Sequence, residues 1–246
     1  MCNLCEHRAR ADRKSATRRG FLKVAGISVL GIAAHGTGFA APPMDPPKAE
    51  NVLSSDAALD RLLVGNERYV EGVTRRHDFK NEREALTKGQ NPYAAILSCA
   101  DSRIAPEYAF DAGRGDLFVC RVAGNLLNDD TVASFEYAVS VLNTPLILVL
   151  GHQGCGAVDA AIKSVKSGST LPGHLPSLVA ALTPAVKAVL DQPGDTLNNA
   201  IKQNVVLTVA ALKSTTPILN KAVDERKIRV VGAIYDLATG RVAVVT

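Results

Sequence analysis

Apolar positions along this chain follow two alternating rhythms. Four short runs, at residues 93–98, 116–122, 146–150 and 228–234, are apolar almost throughout and are bounded by Gly, Pro or Asp. A strand with one face in water alternates polar and apolar side chains, so runs without that alternation predict strands covered on both faces. The other rhythm is helical. Leu59, Leu62, Leu63 and Tyr69 recur at helical spacing in a segment that begins with the capping residues Ser54-Ser55-Asp56 and runs to about Glu71. Further helices are predicted over 130–142, 156–167, 175–190 and 196–226, the last with Pro217 as its only interruption. The ending from Tyr235 to Val242 predicts a turn into an edge strand. Strands alternating with helices define an α/β fold: a mainly parallel β-sheet flanked by helices, with an N-terminal helical arm.

Composition adds the domain count. A chain of 246 residues, 47% hydrophobic and 21% charged, buries enough for one globular domain once a leader is set aside, and no repeat or low-complexity tract argues for more. The net charge of +4 belongs to the first forty residues, where seven Lys/Arg stand against two acids, so the remainder carries −1. With no Trp, 4% aromatic residues and no basic patch interleaved with aromatics, nothing suggests a nucleic-acid surface.

The basic leader has its own pattern. Thr17-Arg18-Arg19-Gly20-Phe21-Leu22-Lys23 precedes an apolar stretch over 24–34, and Gly38-Phe39-Ala40 precedes Ala41-Pro42-Pro43. This predicts a twin-arginine export signal over 1–40, cleaved near Ala40, then a Pro-rich linker over 41–54 and the domain over 55–246. The apolar stretch is Gly-broken and well short of the ~20 residues of a membrane span, so no stable membrane anchor is expected. The expected partner is the twin-arginine export machinery, and the expected location is periplasmic or otherwise extracytoplasmic.

Two segments carry the chemistry. Cys99-Ala100-Asp101-Ser102-Arg103 and His152-Gln153-Gly154-Cys155 supply two thiolates and an imidazole. Cys₂His is a known ligand set of catalytic zinc, which keeps three protein ligands and leaves its fourth position to water, whereas structural zinc is closed by a fourth Cys or His. Each segment follows a predicted core strand, and sites in open α/β sheets gather beyond the C-terminal strand ends, so the two can meet. The helix starting near Gly156 is expected to favour the Cys155 thiolate through its N-terminal partial charge. Of the five cysteines, Cys2 and Cys5 would leave with the leader, where an isolated CxxC followed by His7 defines no site by itself. Cys120, in a predicted strand, reads as a core thiol.

Zinc makes hydroxide available from water near neutrality. Two thiolates cancel the ion's formal charge, so the bound water should be less acidic than with neutral ligands and activity should rise toward alkaline pH. Asp101 is placed to accept the hydroxide proton in a hydrogen bond, and Arg103 to fix the carboxylate and keep it ionised.

These two motifs, together with Arg121-Val122-Ala123-Gly124-Asn125 between them, resemble the β-class carbonic anhydrases, in their plant-like bacterial branch, over about residues 55–246. The resemblance implies one Zn²⁺ per chain, reversible hydration of CO₂ to bicarbonate, and a homodimer or higher homo-oligomer. It implies zinc ligation by Cys99, His152 and Cys155, with Asp101 and Arg103 as a catalytic dyad. In some members the matching carboxylate leaves the arginine and becomes a fourth zinc ligand at low pH; for Asp101 the open form is expected near neutrality. Gln90 matches a glutamine that donates to substrate, where its amide would stabilise the developing charge. Phe118 and Tyr137 match aromatics that line the pocket across the dimer interface, and Gly156 borders the same pocket. Two departures are visible. Ile96 stands where members controlled by a second bicarbonate site resemble one another in having Trp, so that regulation is not expected. Val122 replaces a common Asn, which removes a local hydrogen bond but no catalytic group. Two other readings remain: hydrolysis of COS or CS₂ on the same fold, and a non-catalytic zinc-binding regulatory protein.

Because the export pathway reads the arginines as a pair, replacing Arg18 and Arg19 together with lysine should strand active precursor inside the cell, while the unaltered protein appears outside beginning near Ala41. N-terminal sequencing and activity in separated cell fractions would check this. Unimpaired export of the double-lysine variant would point to another route or to a retained anchor.

Overall fold

The computed structural model describes residues 45–246. Arg18-Arg19, Cys2, Cys5, His7 and the cleavage point near Ala40 lie outside the described residues. Five strands, β1 (Ala94–Ser98), β2 (Leu117–Arg121), β3 (Leu146–His152), β4 (Arg229–Tyr235) and β5 (Val242–Val244), form one sheet in the order β2-β1-β3-β4-β5. The first four are mutually parallel, and β5 closes one edge antiparallel to β4. The helices are α1 (Ser55–Val70), α2 (Phe79–Leu86), α3 (Pro106–Ala109), α4 (Asp129–Ser140), α5 (Gly156–Ser167), α6 (Leu175–Lys187), α7 (Thr196–Ser214) and α8 (Leu219–Asp224). This is the expected mainly parallel sheet flanked by helices. Among the described residues, no helix is long and apolar enough to cross a membrane.

The period-two geometry of a strand sorts the core into two layers. Ala94, Ile96, Leu146 and Leu148 face Leu59 and Leu62 of α1 and Phe110 after α3. Ala95, Leu97, Ile147 and Val149 face Phe135 of α4, Val205, Val209 and Leu212 of α7, and Leu219 of α8. β1 and β3 are buried along their whole length, as their unbroken apolar runs predicted. β2 is not: it is an edge strand, half-buried and ending on an exposed Arg121, which its equally apolar sequence did not reveal. A third cluster packs Val158 and Ile162 of α5 against Leu182 and Val186 of α6 and Ile201 of α7, and it encloses Cys99 and Cys155.

Helix ends follow their capping chemistry. The Ser54 side chain accepts from Ala57 N, Asn128 opens α4 with a capping box, and Asp195 accepts from Asn198 N at the start of α7. The single helix predicted over 196–226 is two helices. Pro217 has no N–H to donate and disfavours a helical residue before it, so α7 stops at Ser214, Thr215 turns extended, and α8 resumes at Leu219. Two elements gave no periodic signal: α2 buries none of its residues, and α3 is four residues long.

The N-terminal arm lies on its own domain. Docking begins before Ser55, inside the stretch expected as a linker, since the Lys48 ammonium pairs with Asp116 and Asn51 donates to the same carboxylate at 3.2 Å. Arg61 adds a contact to Asp116 at 3.4 Å, and Arg68 reaches Asp111 at 2.6 Å. Burial pushes Asp111 up, but hydrogen bonds from Thr74, Arg68 and Arg75 outweigh it and bring the carboxyl down to about 2. The segment between β1 and β2 is thereby anchored to α1 at its far end.

Helix α1 crosses this segment at Gly65, where a Cβ would stand 2.0 Å from the Phe110 carbonyl oxygen. Neither backbone can yield without moving its helix. Gly65→Ala should therefore destabilise the fold by about 1–3 kcal/mol through overpacking. Urea denaturation would measure the difference, and an unchanged midpoint would mean that α1 is free to shift away from α3.

Candidate metal centre

Strands β1 and β3 are neighbours in register, with Ser98 opposite Leu150. Cys99 follows the last residue of β1 and His152 is the last residue of β3, so the two side chains emerge beside each other at the same sheet end. Gly154, at φ 62°, turns the chain through a left-handed conformation that glycine adopts without strain, and Cys155 becomes the N-cap of α5. The two sulfurs stand 4.0 Å apart, and the ligand atoms of Cys99, His152 and Cys155 all lie within 4.8 Å of one another. All three residues are buried.

His152 shows what the cluster is built for. Its Nδ1 lies 2.9 Å from the Gln153 carbonyl oxygen, which can only accept, so Nδ1 carries the proton and Nε2 a lone pair. That Nε2 is buried without a hydrogen-bond partner. An orphaned imidazole lone pair facing two sulfurs fits a borderline-soft divalent cation with tetrahedral habits.

Between the two sulfurs alone, ionisation is unequal. Cys99 is drawn down, first by the hydrogen bond from Cys155 and, against the effect of burial, by the Gly124 N–H, which donates to its sulfur at 3.2 Å. Cys155 is pushed up, first by Cys99 and then by burial. The α5 amides of Ala157 and Val158 do favour the Cys155 thiolate, as expected of a helix N-terminus, but they do not outweigh its neighbour. Cys99 ionises first.

Asp101 and Arg103 form a two-point pair. Arg103 Nε donates to Oδ1 at 2.9 Å and Nη2 to Oδ2 at 2.7 Å, while the Arg103 backbone N–H adds a third bond at 3.0 Å. These hold the Asp101 carboxyl well below the usual carboxylate range. Arg103 Nη2 also donates to the Gly154 carbonyl at 3.1 Å, tying the two ligand-bearing segments together. Asp101 Oδ2 stands 3.8 Å from His152 Nε2, at the border of the cluster and outside it. Both its oxygens are engaged by Arg103.

The structure gathers Cys99, His152, Cys155, Asp101 and Arg103, with Gly156 at the start of α5 beside them and open space where its Cβ would be. It does not bring Gln90, Phe118 or Tyr137 to this point within one chain. Gln90 precedes β1 while Cys99 follows it, so the full strand, roughly 17 Å at ~3.3 Å per residue, separates them. Gln90 is exposed beside Leu86, Arg114 and Gly115. Phe118 and Tyr137 pair with each other at a centroid separation of 6.4 Å on the β2 edge and the exposed side of α4. Sequence reasoning gave Arg121 no role, yet its guanidinium donates to three carbonyls, those of Cys99 at 3.0 Å, Asp101 at 2.7 Å and Ile104 at 2.9 Å. The available signal was a cation ending an apolar strand. Cys120, half-buried with its thiol pushed up by burial, takes no part.

The chain is thus an α/β protein whose open sheet carries, at its C-terminal strand ends, a buried Cys₂His cluster able to hold a metal ion. Its three protein ligands leave a tetrahedral ion one further position. The sequence model of the carbonic anhydrase family matches residues 94–242. Carbonic anhydrase 2 of Mycobacterium tuberculosis is 38% identical over 186 residues, covering 75% of this chain and 90% of that protein. The solved β-carbonic anhydrase CcaA superposes with a TM-score of 0.60 at 26% identity, covering 76% of this chain and 94% of that one. The fold is also that of tetrameric β-carbonic anhydrases from Sordaria macrospora, with a TM-score of 0.59 at 24% identity over 77% of this chain and 94% of the other. This chain belongs to the β-carbonic anhydrase family and is an enzyme of that family.

Since Cys99, His152 and Cys155 are the only metal-type cluster among the described residues, the protein should retain a single equivalent of metal through dialysis against a mild chelator. Cys155→Ser should lose it. Metal analysis of the dialysed proteins decides, and full retention by the variant would contradict the ligand set.

Proposed function

We propose that the protein holds one Zn²⁺ at Cys99, His152 and Cys155 and catalyses the reversible hydration of CO₂ to bicarbonate and a proton. The observation that carries this reading is the orphaned His152 Nε2 set against two sulfurs, with an arginine-held carboxylate 3.8 Å away. Zinc, when bound there, supplies the Lewis acid that makes a hydroxide nucleophile available near neutral pH.

The chain's own groups supply orientation. Asp101, kept ionised by Arg103, can accept a hydrogen bond but cannot donate one. It therefore engages the nucleophile's proton and aims an oxygen lone pair at the CO₂ carbon. Arg103 fixes that carboxylate at two points and, through the Gly154 carbonyl, fixes it relative to Cys155. Arg121 holds the carbonyls of residues 99, 101 and 104, so the loop bearing the dyad keeps its shape as charge moves.

Gln90, Phe118 and Tyr137 act in this reading from a second copy. Their separation from Cys99 within one chain supports it, and the β2 edge that carries Phe118, with Tyr137 at 47% and Val141 at 57% exposure nearby, offers an apolar face to a partner. The minimal active unit is then a homodimer, and a higher homo-oligomer accords with the tetrameric relatives. The leader places the enzyme outside the cytoplasm, after it folds and acquires zinc inside.

Zinc-loaded mature protein should accelerate CO₂ hydration, with activity rising toward alkaline pH. Asp101→Asn should lower kcat by about 10²-fold or more while zinc is retained. Stopped-flow assays with CO₂ and, in parallel, carbonyl sulfide would check both points. A zinc-replete dimer with no hydration above background would overturn the reading, and a clear preference for carbonyl sulfide would reassign the substrate.

A further inference from the structure

One backbone amide links a metal-type sulfur to a distant helix. Gly124 N–H donates to Cys99 Sγ at 3.2 Å, and it can do so because Gly124 sits at φ 73°, ψ 14°. A side chain there would be strained and would press on Leu182, whose two methyl carbons lie 3.0 and 3.2 Å from the position of a Cβ. The peptide unit on the far side of Gly124 is held at both polar atoms. Its carbonyl accepts from Asn204 Nδ2 at 2.9 Å, and its N–H, that of Asn125, donates to the Val122 carbonyl at 2.9 Å. With that plane clamped, the Gly124 torsions lose their freedom, and the direction of the N–H toward Cys99 is set.

Asn204 makes this contact from α7, 80 residues further along the chain, and is only 6% exposed. A buried amide needs partners, and this one spends its donor on the Gly124 carbonyl. The core positions around it on α7 are Ala200, Ile201, Val205 and Thr208, of which only Thr208 is polar.

We propose that Asn204 is a positioning residue of the metal centre, acting through the Gly124 amide on the Cys99 sulfur. The inference rests on reading that centre as a metal site. A hydrogen bond to a ligating thiolate withdraws part of its charge from the metal and fixes the sulfur's direction. Where two thiolates would otherwise cancel the charge of a divalent ion, that withdrawal keeps the ion a stronger Lewis acid.

The test uses the full mature chain loaded with Co²⁺, whose thiolate-to-metal charge-transfer band reports charge on sulfur. Asn204→Leu removes the donor and keeps the branched shape. It should move the band to lower energy and weaken metal affinity by about tenfold. Thr208→Val, on the same helix and as buried as Asn204, should change neither. If Asn204→Leu fails to fold, Asn204→Ser, too short to reach the carbonyl, is judged by the same two readouts. A wild-type band and affinity in the Asn204 variant overturn the proposal. An equal shift in Thr208→Val overturns it as well, by assigning the effect to helix packing. Failure of the wild-type protein itself to take up cobalt would instead refute the metal-site reading beneath it.

Discussion

Burial of the His152 imidazole with an unpartnered Nε2 is the constraint around which the rest of the centre is arranged. A buried polar atom left without a hydrogen bond destabilises a fold by about 1–3 kcal/mol. Here the atom sits at the end of a fully buried strand, facing two buried sulfurs. A divalent cation held there, as proposed, would satisfy all three groups at once and would couple metal binding to folding free energy. The fixed Nδ1–H to the Gln153 carbonyl leaves the imidazole a single way to participate.

Three guanidinium contacts convert two loops into one rigid rim. Arg121 gathers the carbonyls of the loop after β1, Arg103 holds Asp101 from within that loop, and the same Arg103 crosses to Gly154 in the loop after β3. Arginine suits each role because its planar fork meets several acceptors at once and stays charged at every relevant pH. Farther back, the buried carboxylates of Asp111 and Asp116 pin the same chain segment to the N-terminal arm. The Asp101–Arg103 pair thus hangs between two anchored ends, which hold its carboxylate in position.

The residues matched to the site by resemblance fall into two groups in space. Its ligand set and dyad are gathered within one copy, while the glutamine and the aromatics that resemble pocket residues face away on the β2 edge and before β1. β2 carries the apolar run of a central strand but has a neighbour on one side only. A strand of that composition at an edge calls for a partner.

The parallel α/β architecture, the Cys99, His152 and Cys155 cluster and the Asp101–Arg103 pair were legible in the sequence, because each depends on local order: unbroken apolar runs, capping residues, and reactive side chains placed just past strand ends. Residue order also marked where α5 begins and where Pro217 interrupts the last helical stretch. It did not mark that the interruption divides that stretch into two helices, since helical spacing resumes beyond the proline, nor did it mark α2 or α3, whose short or polar sequences bury little. The sequence could not show that β2 lies at an edge, that Lys48 begins the docked arm, or that Arg121, Gly124 and Asn204 converge on the Cys99 loop. Those facts depend on strand order and on contacts between residues far apart in the chain. A hydrogen bond between a carbonyl and an amide 80 positions away has no periodic signature in sequence, so only the tertiary structure decides it.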